Sequence, residues 1–491
     1  MKLHKQQMMI VASAAMALCV AAVRAQDQKQ DPRSVNPIPP ISSTNSGGNN
    51  GMGGKPAPAA RGVNAPYDPQ LYDPSQVEPD TATLSGAEVF GVGSLQHARN
   101  VFDPFITISS LGESGTIGVV GQTGLHATNI LGGGLNFTRT WDRYRLTAAY
   151  TGSETIYQGS LPNTAYHNLS VAQDFAWRRW RLYLRDDFTV SPGATFGGSG
   201  SGGPGLMGQF SSPLAGSLNS IGQNFLPSQT IETAQANRYQ NTALGEVEYS
   251  FSRRSAFTLS GAYGILHFTT PGYISSHMVS TQAGYDYQLD AKNSVAVLAS
   301  YARIDYTGTA SPTEGYAAEL AYGRKITGQL AFQVSAGPEE TSASRPGTGG
   351  FRNLTLAANS ALTYERRRSG LLVSYSRGLT GGSGVFIGAI SNTFSGTLHH
   401  QFSRYWSGSV NGGYAFNSSL VPTGVAATTF TNWFVGANAG RRLGRHAQLA
   451  FNYGLQKQDN PAVCPVVVGC FATGFQQSFG ATLNWHLRAV E

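Results

Sequence analysis

Apolar and polar positions alternate with a period of two over most of the chain beyond Pro104. In "SFGATLNWHL", Phe479, Ala481, Leu483, Trp485 and Leu487 alternate with Ser478, Gly480, Thr482, Asn484 and His486. "AQLAFNYGL" repeats the pattern with Leu449, Phe451, Tyr453 and Leu455, "FTLSGAYGI" with Phe257, Leu259, Tyr263 and Ile265, and "WSGSVNGGYAF" with Trp406, Val410 and Tyr414. Successive side chains of a strand point to opposite faces, so strict alternation predicts strands with one apolar and one polar face.

The connections between these segments come in two alternating kinds. One kind is short and rich in arginine: "TWDRY", "WRRW", "SRRSA", "LDAKNS", "GRKITG", "ERRRSG", "SRYW" and "GRRLGRH". The other is longer and rich in Gly, Ser, Thr and Pro, as at 153–164, 305–314 and 417–429, with the longest near 192–236. Short turns at one end and long loops at the other predict a transmembrane up-and-down β-barrel, antiparallel and all-β. Aromatic residues sit where strands meet turns (Trp141, Tyr144, Trp177, Trp180, Tyr249, Phe251, Tyr405 and Trp406), the placement expected of interfacial girdles. Backbone groups in lipid are satisfied only if the strands close on themselves. The pattern counts to about 18 strands between residues 104 and 488, or to 16 if the weakest segments, the first among them, stay out of the sheet.

Composition agrees with lipid as the solvent. Only 12% of residues are charged, 11% are aromatic and 60 of 491 are glycine, against about a quarter charged in an ordinary soluble domain. Residues 1–25 read as a secretory signal peptide: Lys2 and Lys5, an apolar run, then Val23 and Ala25 before the cleavage point. Its removal takes away three cations and no acids, which moves the net charge from +7 to +4 and gives no reason to expect a nucleic-acid partner. Residues 26–80, dominated by Pro, Gly, Ser and Asn, read as a disordered periplasmic segment, and 81–102 as a lead-in to a barrel over 103–491.

The opening strand "NVFDPFITISS", the arginine-rich tight turns and the last strand "FGATLNWHL" resemble bacterial outer-membrane porin-type barrels over about residues 100–488. The resemblance implies outer-membrane lipid and hydrophilic solutes as partners, leaves room for a homo-oligomer, and implies location in the outer membrane of a Gram-negative-type bacterium. Porin-type chains often end on an aromatic, whereas "RAVE" follows Leu487 here, which makes any such terminal signal internal.

A barrel of this size encloses a lumen wide enough for water. With the apolar set outward, the inward residues include Arg181, Tyr183, Arg185 and Asp187 of "WRLYLRDDF", Glu246 and Glu248 of "ALGEVEYSF", and Asp286 and Glu319. Facing rows of arginine and carboxylate would produce a transverse field and a constriction that filters solutes by charge; the alternative is that they solvate the lumen or pair across it to stiffen the wall. Catalysis finds no support. The histidines are scattered, and His399 and His400, adjacent on one strand, point to opposite faces. "GGSGSGGPG" lacks the Lys-Ser/Thr of a phosphate loop. No metal, cofactor or enzymatic activity is therefore expected. Cys464 and Cys470 fall in the last long loop, and in an exported chain this spacing predicts a disulfide staple. The function expected is a passive channel for small hydrophilic solutes or for polymer export, against the alternative of a structural or surface-interaction barrel without an open pore.

Overall fold

The computed structural model describes residues 101–114, 125–141, 143–157, 163–192, 237–308, 312–345, 349–366, 368–384, 387–420, 429–459 and 474–487. The signal peptide, the 26–80 segment, most of the lead-in and the Cys464–Cys470 loop lie outside these residues.

Eighteen strands form one antiparallel sheet. They are β1 (Val101–Ser114), β2 (Leu125–Thr140), β3 (Tyr144–Tyr157), β4 (Thr164–Ala176), β5 (Trp180–Ser191) and β6 (Arg238–Ser250). Next come β7 (Ser255–Phe268), β8 (Ser276–Gln288), β9 (Asn293–Tyr306), β10 (Thr313–Lys325), β11 (Leu330–Arg345) and β12 (Gly349–Arg366). The last six are β13 (Ser369–Thr380), β14 (Ala389–Gln401), β15 (Trp406–Ser419), β16 (Thr429–Arg442), β17 (Ala447–Asp459) and β18 (Gly474–His486). Each strand pairs with its neighbours in sequence, and β1 pairs with both β2 and β18, from Phe105↔His486 to Ser114↔Gln477, which closes the barrel. Closure gives every strand a partner on both sides over at least part of its length. At the join, His486 Nδ1 lies 2.9 Å from Asp103 Oδ2 and Thr107 Oγ1 donates to Asn484 Oδ1 at 2.9 Å.

The alternation read from the sequence separates the two faces. On β1, Phe102, Ile106 and Ile108 are exposed while Asp103, Thr107 and Ser109 between them are buried. Exposed Leu320, Val297, Leu354, Phe394, Leu398, Val410, Phe479 and Trp485 continue the outer face, an inversion of a soluble core. Apolar residues gain nothing from the interior here, because the solvent outside is hydrocarbon. Among the described residues no helix is long and apolar enough to cross a membrane.

The short turns are tight. Trp141, Trp177 and Ser403 each donate an N–H to the carbonyl three residues on, at 2.8, 2.8 and 3.1 Å. In the β8–β9 turn, Asp290 Oδ1 accepts from the N–H groups of Lys292 and Asn293 at 2.7 and 2.9 Å, and Oδ2 accepts from Asn293 Nδ2 at 2.7 Å. This turn closes through a side chain, an Asx cap. The eight aromatics expected to form two girdles all lie at the short-turn end. Trp180 and Tyr249 have ring centroids 4.5 Å apart, Phe175 and Trp177 stack at 5.8 Å, and Arg441 lies over Trp406. The long-loop end has a different set, including the Tyr301–Tyr316 and Trp433–Phe475 pairs. Beyond it comes a belt of outward ion pairs, Arg303–Glu314, Arg352–Glu340 and Lys457–Asp459, where the apolar band stops. The sequence concealed this second girdle because its tyrosines lie inside strands that run past the membrane into the long-loop end.

Candidate functional site

The inner face of the barrel divides into two arcs. On β3 to β11 it carries charge. Asp174 of β4 accepts from Arg181 Nη2 at 3.2 Å and lies 3.4 Å from Arg145 Nη2. Arg185 donates to Asp187 Oδ1 at 2.9 Å and is 6% exposed. Register sets Arg181 opposite Glu248 and Tyr183 opposite Glu246, and Tyr183 packs on Leu244 and Ala262. Arg181, Tyr183, Arg185, Asp187, Glu246 and Glu248 thus form one patch on two adjoining strands. Asp286 is buried on β8 and Glu319 on β10. Glu319 accepts from Ser335 Oγ at 2.6 Å and Asn359 Nδ2 at 3.4 Å. These arginines meet their carboxylates side by side along the wall.

On β14 to β18 and the middle of β1 the inner face carries mainly amides and hydroxyls, with the buried carboxylates Asp103 and Glu113 towards the two ends of β1. Ser109 and Thr482 are 2.8 Å apart, Asn452 Nδ2 donates to Thr482 Oγ1 at 3.3 Å, and Asn438 reaches Asn452. Gln456 Nε2 donates to Gln476 Oε1 at 2.6 Å and Asn432 Nδ2 to Gln458 Oε1 at 3.4 Å. Several inward amides meet an amide or hydroxyl of the next strand, because neighbouring strands bring same-face residues side by side.

A third element escapes the strand pattern. The described residues at the tip of the β13–β14 hairpin, 378–384 and 387–390, turn into the lumen. Leu379 N–H donates to Glu339 Oε1 at 3.1 Å, Gly384 C=O accepts from Ile274 N–H at 2.9 Å, and Gly388 C=O accepts from Leu420 N–H at 3.2 Å. Ile274 lies in the connection between β7 and β8, several strands away around the wall, so this bond crosses the interior. Leu379 and Ile387 pack against Met278, Ile304 and Tyr306, which puts an apolar cluster inside the barrel at the long-loop end. Gly382, Gly384 and Gly388 have φ of 72°, 81° and 77°, left-handed values that side-chain-bearing residues rarely adopt. A Cβ on Gly384 also runs into the Phe268 ring. The signal in the sequence is "GLTGGSGVFIGA", a glycine-rich loop with large apolar residues embedded in it.

The two adjacent histidines lie on opposite faces. His399 stands over Gly370, and His400 Nδ1 lies 2.7 Å from Ser369 Oγ. Among the described residues no group of three or more His, Cys, Asp or Glu is placed to hold a metal ion. Cys464 and Cys470 lie outside the described residues.

No protein-family model matches the sequence, and no curated protein matches it. Solved structures similar in outline include OccK2 (OpdF) of Pseudomonas aeruginosa, with 9% identity and a TM-score of 0.38, covering 79% of this chain and 98% of that one. OccAB3 of Acinetobacter baumannii has 9% identity and a TM-score of 0.39 over 79% of this chain and 99% of that one. The ferric-catecholate import receptor Fiu of E. coli K12 has 9% identity and a TM-score of 0.40 over 79% and 82%.

Proposed function

We propose that the protein is an outer-membrane channel of a Gram-negative-type bacterium, admitting small hydrophilic solutes passively. The observation that carries this is the inverted barrel: eighteen closed strands, apolar outside and lined inside by Arg, Asp, Glu, Asn, Gln, Ser and Thr. A polar lining on that scale is costly beside hydrocarbon and is satisfied by water and polar solutes. Arg181, Tyr183, Arg185, Asp187, Glu246, Glu248, Asp286 and Glu319 are the pore-lining candidates, and the tip of the β13–β14 hairpin narrows the lumen at the long-loop end. Export of a polymer is the less favoured form of the same reading, since the hairpin crosses the lumen.

Purified protein in planar bilayers tests the proposal. Discrete conductance steps are expected, and shortening the hairpin by removing Gly382–Gly384 should enlarge each step. A folded, heat-modifiable barrel that gives no steps at any voltage would sink the channel. It would favour a surface-interaction barrel, for which the apolar cluster of Leu379, Ile387, Met278 and Ile304 acts as a stopper.

A further inference from the structure

The barrel wall is split between β12 and β13 at the long-loop end. The ladder joining them has nine pairs, from Arg366↔Ser369 to Ala358↔Arg377, the shortest between neighbours in the sheet. β12 runs on from Ala357 to Gly349, paired with β11 as far as Gly349↔Arg345. Among the described residues, this stretch of β12 has a strand on one side only. The cause is the inward turn of the hairpin. Tyr375 and Arg377 stand on the outer face, and alternation would put Leu379 there too, yet Leu379 lies inside against Gly315 of β10.

Side chains take up two of the backbone groups at the split, the carbonyl of Leu356 and the N–H of Leu379. Arg377 Nε donates to Leu356 C=O at 3.1 Å, and Arg377 Nη1 donates to Asn392 Oδ1 at 2.7 Å. Glu339 reaches across from β11 to accept the Leu379 N–H at 3.1 Å, with Thr355 Oγ1 3.5 Å from its other oxygen. Side-chain bonds close the seam, where elsewhere a continuous ladder does so.

The surroundings of the seam decide what it would pass. Outside, Leu354 and Leu356 are 71% and 52% exposed, below the Arg352–Glu340 pair that marks the top of the apolar band. Inside lies the cluster of Leu379, Met278, Ile304 and Tyr306, where the lining is apolar. Hydrocarbon on one side and an apolar part of the lumen on the other meet at a break in the backbone ladder. We infer that the β12–β13 seam is a lateral passage for a small apolar or amphipathic molecule between the lumen and the hydrocarbon of the membrane. Glu339 is its latch. A polar solute has no reason to leave by this route, since it would enter lipid without partners. The inference does not rest on the channel proposal.

The test uses intact cells whose outer membrane excludes the apolar fluorescent probe N-phenyl-1-naphthylamine, with and without the full-length protein. Probe entry is expected to be faster with the protein than without it. Glu339→Ala, which releases the latch, should speed it further. Leu354→Asp, which puts a carboxylate on the outer lip, should bring it down to the level of cells lacking the protein. Leu354 faces outward, so single-channel conductance of L354D in potassium chloride should match the parent, and missing conductance steps would count against the channel and not the seam. Probe entry no faster than in control cells, or entry unchanged by L354D, would overturn the inference. L354D carries the test if E339A fails to assemble.

Discussion

The charged and the neutral arcs of the inner wall follow the same period-two rule and the same barrel geometry, yet they are held together differently. On β3 to β11, Asp174 serves two arginines and Arg185 is buried against Asp187. On β16 to β18 and β1, neutral amides and hydroxyls hand hydrogen bonds from strand to strand. A buried charge depends heavily on its partner, because losing one member leaves the other desolvated and uncompensated. A neutral amide loses about 1 kcal/mol with its partner. The charged arc is thus the part of the wall where a single substitution reaches furthest, in field as well as in stability.

The largest effect should be on ion preference. Replacing Arg181 and Arg185 together with glutamine leaves the carboxylates of β5 and β6 in excess, and the reversal potential in a salt gradient should move towards cation selectivity. Asn452→Ala, in the neutral arc, should leave that potential unchanged. An unmoved potential in the arginine variant would show that the patch does not face the permeation path. Next comes Asp174→Ala, which strips both Arg145 and Arg181. The arginines are 45% and 42% exposed, so the loss should be about 2 kcal/mol, below the range for a fully buried pair. The urea midpoint of the folded gel band reports it. Asn452→Ala should cost about 1 kcal/mol by the same measurement, and equal costs would erase the energetic difference between the arcs.

Two smaller predictions concern the ends of the barrel. We propose that Cys464 and Cys470 are joined in the exported protein; alkylation without reduction should then modify neither, and labelling of both refutes the staple. In the β8–β9 turn, hydrogen bonds from the Asn293 side chain and the Lys292 N–H hold the Asp290 carboxyl below its ordinary value. A lowered folded value means that the contribution to stability is present above the ordinary carboxylate range and is lost as pH falls through the lowered one. Asp290→Asn should therefore lower stability slightly near neutrality, where the ionised carboxylate contributes, and flatten the acid limb of the stability profile.

Most of the strands were legible because lipid outside and a polar lumen inside impose opposite demands on alternate residues. "SFGATLNWHL" and "AQLAFNYGL" announce β18 and β17 without help from any neighbour. Nine long-loop connections and eight short turns were legible because glycine and arginine segregate between them. The inward hairpin was not. "GLTGGSGVFIGA" reads as one more loop, and its direction depends on whether Gly384 and Ile387 find partners on strands far away in sequence. Glu339 could not be told from any other inward carboxylate, because its role arises only where β13 leaves β12. The pairing of Arg181 with Asp174 was likewise hidden, since lateral partners follow from register.

Alone, the sequence determined the all-β class, the alternation of faces, a count of eighteen or sixteen strands and the two kinds of connection, because each follows from local spacing against two solvents. Only the tertiary structure decided closure through Asp103 and His486, the division of the lumen into two arcs, the crossing of the 378–390 hairpin and the split at β12. Those depend on which residues register and long-range contact bring side by side, and a period of two carries no information about that.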